Sequence, residues 1–589
     1  MSKHNPAKSS TKENARLGQW FATAICGNDI LSSALYVSGI SIIYAGIYSP
    51  LVLLLIGLVL FFYKSVYIEV VEALPTNGGA YNCLLNATSK NIAAIAGTMT
   101  FLSYVATAVI SGEDGVQYLH AILAIPIIPV TIGILLLFSL LVVSGIKDSA
   151  KVALGIFVFH VITLILFVLF GFWYVTHHQL YLQANFLATA PIVTRFGGIL
   201  PAIFFGFCAS LLGVSGFESS ANFVEEQQRG VFRKTLRNML IGSIIFNPLT
   251  AFIALSVMPY HALVASSDFL LSNVARITGG VFLEYLVVID ATIVLSGAVL
   301  TAFVGVSGLL YRMTADGCFP TVLSYKNKQG SYPIIILFFF LLTSSILLAT
   351  KGNLLSLAGV YTIAFLSVMT FFAFGNLLMR RTRRDLKRTY SAPFLFVVFA
   401  FCATIAGIIG NIDIAPENLQ YFLMYFVPTI LLVFATIYAD IVLRFIIKYT
   451  ILFPLFRSWI RKRFATLIDG EFVVFVYHPN RLFQILQYIY RNEIGKKIIL
   501  IYCDNWNLNK KENEKQFTEL EKIIPTLREA GVYPDFSISL LHWHMSFGKV
   551  AVDDAVKKMH VPHNRILIGS IHHDHPFDYD DLGGVRIIF

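Results

Sequence analysis

Charge is scarce in this sequence, and that scarcity excludes several classes of protein. Only 13% of the 589 residues are charged, whereas 56% are hydrophobic, which is not the balance of a soluble globular protein of this length. The net charge of +10 comes from basic residues in short segments between long apolar runs, a distribution that does not favour nucleic acid as a partner. The composition therefore predicts a membrane protein that binds no nucleic acid.

Cysteine is also rare, and its spacing is not typical of a metal or redox site. We expect the six cysteines to be small buried residues; they are Cys26, Cys83, Cys208, Cys318, Cys402 and Cys503. The polar N-terminal stretch lacks the short apolar segment of a cleavable signal peptide. We therefore expect the first apolar run itself to direct insertion into the membrane.

Long apolar runs are what the sequence has in abundance. A run of about 20 such residues crosses the hydrocarbon core as a helix, and windowed hydropathy predicts twelve spans. They lie near 19–46, 50–73, 92–123, 126–145, 150–176, 197–222, 236–258, 280–311, 332–350, 354–379, 393–411 and 421–446.

The charges of the loops predict the orientation of these spans. One set of loops is rich in Lys and Arg, as in the stretch RRTRRDLKR at 380–388, and the opposite set is poor in them. The positive-inside rule places the basic loops in the cytoplasm, together with both termini because the number of spans is even. We expect a multi-pass protein of the plasma membrane, which in a bacterium is the inner membrane.

The composition changes after about residue 448, where strand-like runs begin to alternate with helical patterns. The runs are 471–477, 497–503, 535–541 and 565–570. Apolar strands separated by helices predict a parallel α/β sheet. We assign residues 1–18 to a cytoplasmic N-terminal tail and residues 19–446 to the twelve-span domain. Residues 447–465 are expected to form an amphipathic juxtamembrane linker, and residues 466–589 a cytoplasmic α/β domain for regulation or dimerisation.

The first span has an acid near its centre. Asp29 would cost about 3 kcal/mol at mid-membrane on insertion scales, and small polar residues such as Asn28 and Ser33 surround it. Such residues suit a helix that unwinds where neighbouring helices line a cavity, which makes Asp29 a functional candidate. The alternative is a structural acid paired with a buried donor.

The sixth span repeats this pattern. Gly213 and Gly216 interrupt it, and Glu218 follows among serines in the stretch GVSGFESSANF. Interrupted spans at positions one and six occupy the same place in two five-span halves, which is the signature of an inverted-repeat transporter with its site at the midplane. The pattern predicts a transporter without catalytic residues rather than an enzyme.

Hydroxyl-bearing residues on two further spans complete the predicted site. Tyr104, Thr107 and Ser111 share one face of span three at helical spacing, and Tyr361 lies in span ten. A buried tyrosine near one of the two acids would hold a carboxylate or close the pocket. The alternative is a tyrosine that only packs in the core.

Three other ionisable residues are weaker candidates. Asp114 follows Glu113 towards the outer end of span three, where it lies either in a vestibule or at a solvated helix end. His160 in span five and Asp290 in span eight are intramembrane ionisable groups. His160 could carry protons, and the alternative is a hydrogen-bonded core histidine.

Three motifs make the region 15–446 similar to the amino acid–polyamine–organocation (APC) superfamily. The stretch PTNGGAY at 75–81 resembles its Gly-Gly-x-Tyr hallmark, and RMTADGCFP at 312–320 resembles its loop after span eight. GFESSAN at 216–222 resembles its Gly-Phe-Glu segment in span six. The resemblance implies a mostly α-helical membrane protein with a LeuT-type fold, which has five plus five inverted spans and two extra spans.

The stretch DILSSALY at 29–36 is more selective, because it resembles the opening motif of two kinds of potassium importer in that superfamily, the KUP family and the KimA-type importers. This resemblance implies that Asp29, Tyr36, Glu218 and Tyr361 serve cation binding or proton coupling. It also implies a cytoplasmic domain like a universal stress protein that joins two subunits into a homodimer. KimA-type importers carry an aspartate immediately before the span-three tyrosine, where this chain has Ser103.

The leading hypothesis is a proton-coupled potassium importer that works by alternating access. Oxygens from carboxylates, carbonyls and hydroxyls would replace the hydration shell of the ion, and a buried carboxyl group would carry the proton. The predicted substrate-binding residues are Asp29, Ser33, Tyr36, Ser103, Tyr104, Thr107, Ser111, Gly216 and Tyr361, and the proton-coupling residue is Glu218.

Two alternatives stay open. One is a proton-coupled amino acid permease that uses the same residues, and the other is a non-transporting membrane sensor. We expect no resident cofactor and no metal beyond a transported cation, because the run HHDH at 572–575 has no partner ligands at zinc spacing. A nucleotide at the strand ends of the α/β domain stays an open question, since the stretch IGSIHHDH at 568–575 lacks the second glycine of the ATP-binding pattern.

Overall fold

The computed structural model describes most of residues 16–445 and 471–587. The gaps are 76, 146–149, 223, 225–226, 229, 385, 387, 440 and 444 in the first part, and 477–478, 480–481, 494–496, 505–507, 530–535, 562–564 and 569–584 in the second. The predicted linker 447–465 and the run HHDH at 572–575 lie outside the described residues. The chain divides into two compact units, of which one comprises Met1–Thr88, Ile92–Tyr311 and Val322–Ile430, and the other Ser89–Asn91, Arg312–Thr321 and Leu431–Phe589.

The part up to residue 437 is almost entirely helical, in keeping with its apolar runs. Its α-helices in chain order are α1 Gln19–Ser32, α2 Ala34–Ala45, α3 Ser49–Ala73, α4 Gly79–Ala87, α5 Lys90–His120, α6 Ile127–Val143, α7 Ala150–His177, α8 Leu182–Ala188, α9 Ala190–Arg195, α10 Ile199–Ser210, α11 Val231–Val257, α12 Tyr260–Ala265, α13 Leu270–Ala315, α14 Pro333–Ala349, α15 Leu354–Thr382, α16 Phe394–Ile414 and α17 Pro416–Ile437.

Nine helical stretches in the described part of the chain are long and apolar enough to cross a membrane. The stretch Gln19–Ala73 contains predicted spans one and two together. Predicted spans four and nine correspond to the shorter apolar helices α6 and α14. The helical nature of the apolar runs is confirmed, whereas the count of twelve spans stays a prediction.

The interruption of the first span is narrower than predicted. Ser33 alone separates α1 from α2, and its φ of −59° and ψ of −25° are still in the helical region. The hydroxyl of Ser32 donates to the Asp29 carbonyl at 2.8 Å, and that of Ser33 donates to the Ile30 carbonyl at 2.6 Å. The expectation of an unwound stretch here is therefore wrong, because the break is confined to Ser33, whose dihedral angles stay helical.

The sixth span, in contrast, is unwound as predicted. After α10 the chain forms short 3-10 turns at Leu211–Val214 and Glu218–Asn222. Between these turns Ser215 is extended, with a ψ of 148°, and Gly216 has a φ of +86°. Because a positive φ favours glycine over other residues, Gly216 fixes the position of the break. The backbone around residues 211–217 is consequently free of regular helix next to α1.

A five-stranded parallel sheet forms the core of the C-terminal part, as the alternating pattern predicted. Its elements are β1 Glu471–Val476, α18 Leu482–Asn492, β2 Lys497–Cys503, α19 Lys510–Glu529, β3 Ser537–Trp543, α20 Lys549–Met559, β4 Ile566–Ile568 and β5 Arg586–Ile587. The strand order is β3-β2-β1-β4-β5, with every pair parallel. The short β5 was not predicted, since two residues carry too little pattern.

Alternate residues of β1 pack on opposite faces of this sheet. Val474 belongs to a buried apolar cluster with Leu486 and Leu500, whereas Phe475 belongs to a second cluster with Ala551 and Val552. A parallel strand that is covered on both faces has a continuous apolar sequence, which explains why EFVVFV was recognisable as a strand.

Candidate functional site

Gly216 brings the broken sixth span directly against Asp29. A Cβ atom at this position would lie 2.7 Å from the Asp29 Cγ atom and 2.8 Å from the Ile30 backbone nitrogen. These distances are shorter than any ordinary contact, so only glycine allows the approach. Asp29 itself is only 8% exposed. The structure thus places the unwound segment of the sixth span against Asp29 of the first span.

Two hydroxyl groups of the first span reach the same unwound segment. Ser33 donates its hydroxyl to the carbonyl of Gly213 at 3.2 Å, in addition to its bond within the helix. The hydroxyl of Tyr36 lies 3.1 Å from that of Ser215. Ser33 and Tyr36 therefore lie beside the break and connect the first span to residues 213–215.

Glu218 is the second buried acid of the site, and its two oxygens differ. The hydroxyl of Ser103 on α5 donates to Glu218 Oε1 at 3.4 Å. Glu218 Oε2 is buried and has no hydrogen-bond partner among the described residues. Ser103 thus contacts the acid directly, at the position where KimA-type importers have an aspartate.

Asp29 and Glu218 lie within electrostatic reach of each other. No Lys, Arg or His in the described part of the chain forms an ion pair with either carboxylate. Two buried carboxylates without a protein cation repel each other when both are ionised. Such a pair can hold a proton, a bound cation or both.

Tyr104 and Asn222 are joined by a hydrogen bond that the sequence did not predict. Asn222 donates its side-chain amide to the Tyr104 hydroxyl at 2.7 Å. A Cβ atom on Gly79, which has a φ of +48°, would lie 3.2 Å from Asn222 Oδ1, so the Gly-Gly-x-Tyr stretch packs against this amide. The contacts of Asn222 and Ser215 are not predictable from the motifs in which the two residues lie.

Three further predicted residues line this region less directly. Tyr361 is 1% exposed, and its hydroxyl has no hydrogen-bond partner among the described residues, although Glu218 and Asp29 are within electrostatic reach. Thr107 donates its hydroxyl to the Ser103 carbonyl one turn earlier on α5. Ser111 is buried another turn along the same helix.

Asp114 and Glu113 are fully buried, so the expectation of a solvated helix end is wrong for both. The amide of Gln117 donates to Glu113 Oε1 at 2.6 Å. Both oxygens of Asp114 are without a partner in the described part of the chain. One turn further along α5, Tyr118 donates its hydroxyl to the Leu35 carbonyl at 2.7 Å, so this part of α5 lies beside α2.

His160 and Asp290 form a buried pair between α7 and α13. His160 Nδ1 lies 2.7 Å from Asp290 Oδ2, and the two side chains are 0% and 1% exposed. This contact agrees with a hydrogen-bonded core histidine. The structure does not bring the pair into contact with Asp29 or Glu218 within the described residues.

Comparisons with known proteins agree with this architecture. A family model described as an amino acid permease matches residues 17–435. The branched-chain amino acid permease BcaP of Bacillus subtilis (strain 168) is 23% identical over 407 residues, which cover 65% of this chain and 84% of BcaP. The potassium transporter KimA of the same organism is 24% identical over 353 residues, which cover 56% of this chain and 56% of KimA.

Among solved structures, one similar chain is a manganese transporter of Eremococcus coleocola, crystallised with an aromatic bis-isothiourea substituted compound. It is 13% identical, with a TM-score of 0.47, and the match covers 74% of this chain and 94% of that chain. Likeness at this level supports no functional argument. The family match, in contrast, covers well over half of this chain. The protein therefore belongs to the amino acid permease family and is a multi-pass transporter of the APC superfamily with KimA-like relatives.

Proposed function

We propose that this transporter is a proton-coupled importer of potassium ions that works by alternating access. The observation that carries the proposal is the pair of buried carboxylates, Asp29 and Glu218, which has no cationic side chain as an ion-pair partner among the described residues. An ionised carboxylate in a membrane interior is costly without a compensating charge. A transported cation and a proton supply that charge in turn.

The position of Asp29 argues for a cation rather than an amino acid. Carriers of this kind hold a substrate carboxylate on exposed backbone amides where a span is broken, and a second carboxylate at that place would repel it. Asp29 lies directly against Gly216 in the break. A potassium ion would instead find oxygens there, from Asp29, the Gly213 carbonyl and the hydroxyl of Tyr36.

Glu218 is the better candidate for the coupling proton. Its Oε1 atom accepts a hydrogen bond from Ser103, whereas its buried Oε2 atom has none from the described residues. A proton on Oε2 would remove the charge of Glu218 while the Ser103 contact holds the side chain in place. Asp29 and Tyr361 would organise the ion site. Tyr104, Thr107 and Ser111, which all lie on α5, would line it.

A proton-coupled amino acid permease is the second candidate. Two observations favour it: Ser103 stands where KimA-type importers have an acid, and the BcaP match covers a larger share of both chains than the KimA match. A protonated Asp29 could donate a hydrogen bond to a substrate carboxylate instead of repelling it. The two candidates therefore differ in the charge of Asp29 during transport.

The proposal extends to the architecture of the whole protein. The broken sixth span at Gly216 and the family match over residues 17–435 support two inverted five-span halves plus two extra spans, twelve in all. The parallel sheet with order β3-β2-β1-β4-β5 supports a domain like a universal stress protein, through which we expect two subunits to pair. Loop charges support both termini in the cytoplasm of a bacterial inner-membrane protein.

Growth rescue tests the substrate. Expression in a cell that lacks potassium uptake should restore growth at low external potassium, and Asp29→Asn should abolish the rescue because it removes the charge that attracts the ion. Asp413→Asn, an exposed acid on α16, is the matched control and should rescue normally. Failure of rescue together with uptake of labelled amino acids would establish the permease instead, and transport of neither by a folded protein would favour the sensor.

A further inference from the structure

Three metal-ligating side chains meet in the C-terminal sheet, apart from the residues of the proposed transport site. They are Asp504, His542 and His544, and one ligand atom from each lies within 4.8 Å of the others. His542 Nε2 is 2.7 Å from Asp504 Oδ1, and His544 Nδ1 is 3.5 Å from Asp504 Oδ2. The two imidazole rings therefore contact different oxygens of the same carboxylate.

Strand register brings these residues together, although 38 positions separate Asp504 from His542. In the parallel pair β2–β3, Tyr502 lies opposite His542 and Cys503 lies opposite Trp543. Asp504 follows β2 and donates its backbone N–H to the Trp543 carbonyl at 3.3 Å. The cluster thus occupies the carboxyl end of two neighbouring strands, the edge where open α/β sheets bind ligands.

The surroundings hold His542 in place and leave the cluster accessible. The ring of His542 stacks on Phe517 of α19, with centroids 4.5 Å apart and an interplanar angle of 20°, and its side chain is 13% exposed. His544 is 69% exposed and Asp504 is 30% exposed. One ligand is fixed by packing while the open side admits an ion and a water molecule.

We propose that Asp504, His542 and His544 bind a divalent transition metal ion of the Zn²⁺ class. Two imidazole nitrogens and a carboxylate oxygen suit zinc and its neighbours, whereas magnesium and calcium prefer oxygen-only sites. Three protein ligands with a fourth position open to water are a common zinc arrangement. The sulfur of Cys503 is not a competing ligand, because its side chain lies in the apolar cluster on one face of the sheet.

The distances in the cluster fit this assignment. Ligand atoms about 2.1 Å from one tetrahedral ion lie about 3.4 Å from each other. One ligand atom from each of the three residues lies within 4.8 Å of the others, so small side-chain movements would bring them to that spacing. An ion bound to one nitrogen of His542 and one of His544 would replace the His542–Asp504 hydrogen bond, because a ligating nitrogen carries no proton. The ion would tie the end of β2 to the segment after β3.

Metal titration of the full-length protein tests this site. The protein is purified in detergent without a polyhistidine tag, treated with chelator, and titrated with Co²⁺ while visible absorption reports coordination; Zn²⁺ then displaces the cobalt. We expect one ion per chain. His544→Asn and Asp504→Asn should each weaken the affinity for the metal at least about tenfold. Because neither side chain is buried, both variants should fold normally.

The run of His572, His573 and His575 provides the matched control, because a histidine-rich run could bind the same metal ion. Replacing these three histidines with asparagine should leave the Co²⁺ spectrum and affinity unchanged. His542→Gln should also abolish binding, with circular dichroism confirming that the protein is folded. Unchanged affinity in His544→Asn and Asp504→Asn, or loss of binding in the triple variant alone, would overturn the proposal.

Discussion

The hydroxyl of Ser103 donates to Glu218 Oε1 at 3.4 Å, and this contact joins α5 to the unwound sixth span beside Asp29. Ser103→Ala removes the side-chain donor to Glu218 Oε1, while Oε2 has no hydrogen-bond partner among the described residues. We expect proton-driven uptake to fall about tenfold or more, since a lost hydrogen bond to a charged group costs about 1.5–3 kcal/mol. Initial uptake rates in vesicles measure the effect.

The control for this prediction lies on the same helix. Thr98 is also buried, and its hydroxyl donates only to the Ala94 carbonyl of its own helix. Thr98→Ala should therefore leave the uptake rate within about twofold of the wild type. Equal losses in the Thr98 and Ser103 variants would mean that the Ser103 hydroxyl acts on helix α5 alone.

Gly216→Ala should damage both stability and transport. The new methyl group would lie less than 3 Å from Asp29 and Ile30 atoms, at a φ of +86° that disfavours any side chain. The backbone term alone is about 1–2 kcal/mol, and the displaced Asp29 should lose its substrate contact. Thermal unfolding in detergent and vesicle uptake are the two readouts.

Gly133→Ala offers the comparison, because a Cβ atom at this position of α6 would meet nothing within 4 Å. Replacing glycine with alanine inside a helix is stabilising by about 0.5–1 kcal/mol. The unfolding temperature of this variant should stay level or rise, and uptake should be retained. A similar loss in both variants would show that the effect does not depend on the position of Gly216 in the break.

The buried pair of His160 and Asp290 should contribute mainly to stability. Asp290→Leu leaves the ring of His160 without its partner in an apolar interior, at a cost of about 1–3 kcal/mol. The double variant His160→Leu/Asp290→Leu should recover part of this loss, because no polar group is then left unpaired. Thermal unfolding of the single and double variants gives the coupling between them, and a double variant less stable than the sum of the singles would contradict this expectation.

Two acids on α3 should differ sharply in importance. Glu69 is 1% exposed, pairs with Arg380 and accepts the Ala392 backbone N–H at 2.9 Å. Glu69→Ala should cost about 3–5 kcal/mol, because it breaks a buried pair. Glu72→Ala breaks a pair with the half-exposed Arg233 and should cost about 1 kcal/mol or less. Unfolding temperatures measure both, and equal losses would contradict the role of burial.

Sequence reasoning found the helices and the acids of the site for a physical reason. A carboxylate inside an apolar run is conspicuous because it is costly there, and Asp29 and Glu218 both stand out in this way. The parallel sheet was equally visible, since EFVVFV and KIILIYC are continuous apolar runs of strand length. Local pattern was sufficient for these features.

What the sequence did not reveal depends on contacts between distant residues. Composition cannot distinguish the single-residue break at Ser33 from a longer unwound stretch, because serines that bond to nearby carbonyls suit both. Asn222 became a site residue only through Tyr104. The cluster of Asp504, His542 and His544 depends on the register of β2 and β3. The spacing of these residues along the chain therefore does not predict it.

Ion flux in reconstituted vesicles tests the central claim most directly. Purified protein in proteoliposomes with an acidic exterior should accumulate ⁸⁶Rb⁺, a potassium tracer, while an internal dye reports acidification that depends on added potassium. Glu218→Gln should abolish the acidification and the accumulation driven by the pH gradient. Entry of labelled branched-chain amino acids with acidification, in the absence of any ⁸⁶Rb⁺ uptake, would contradict the account.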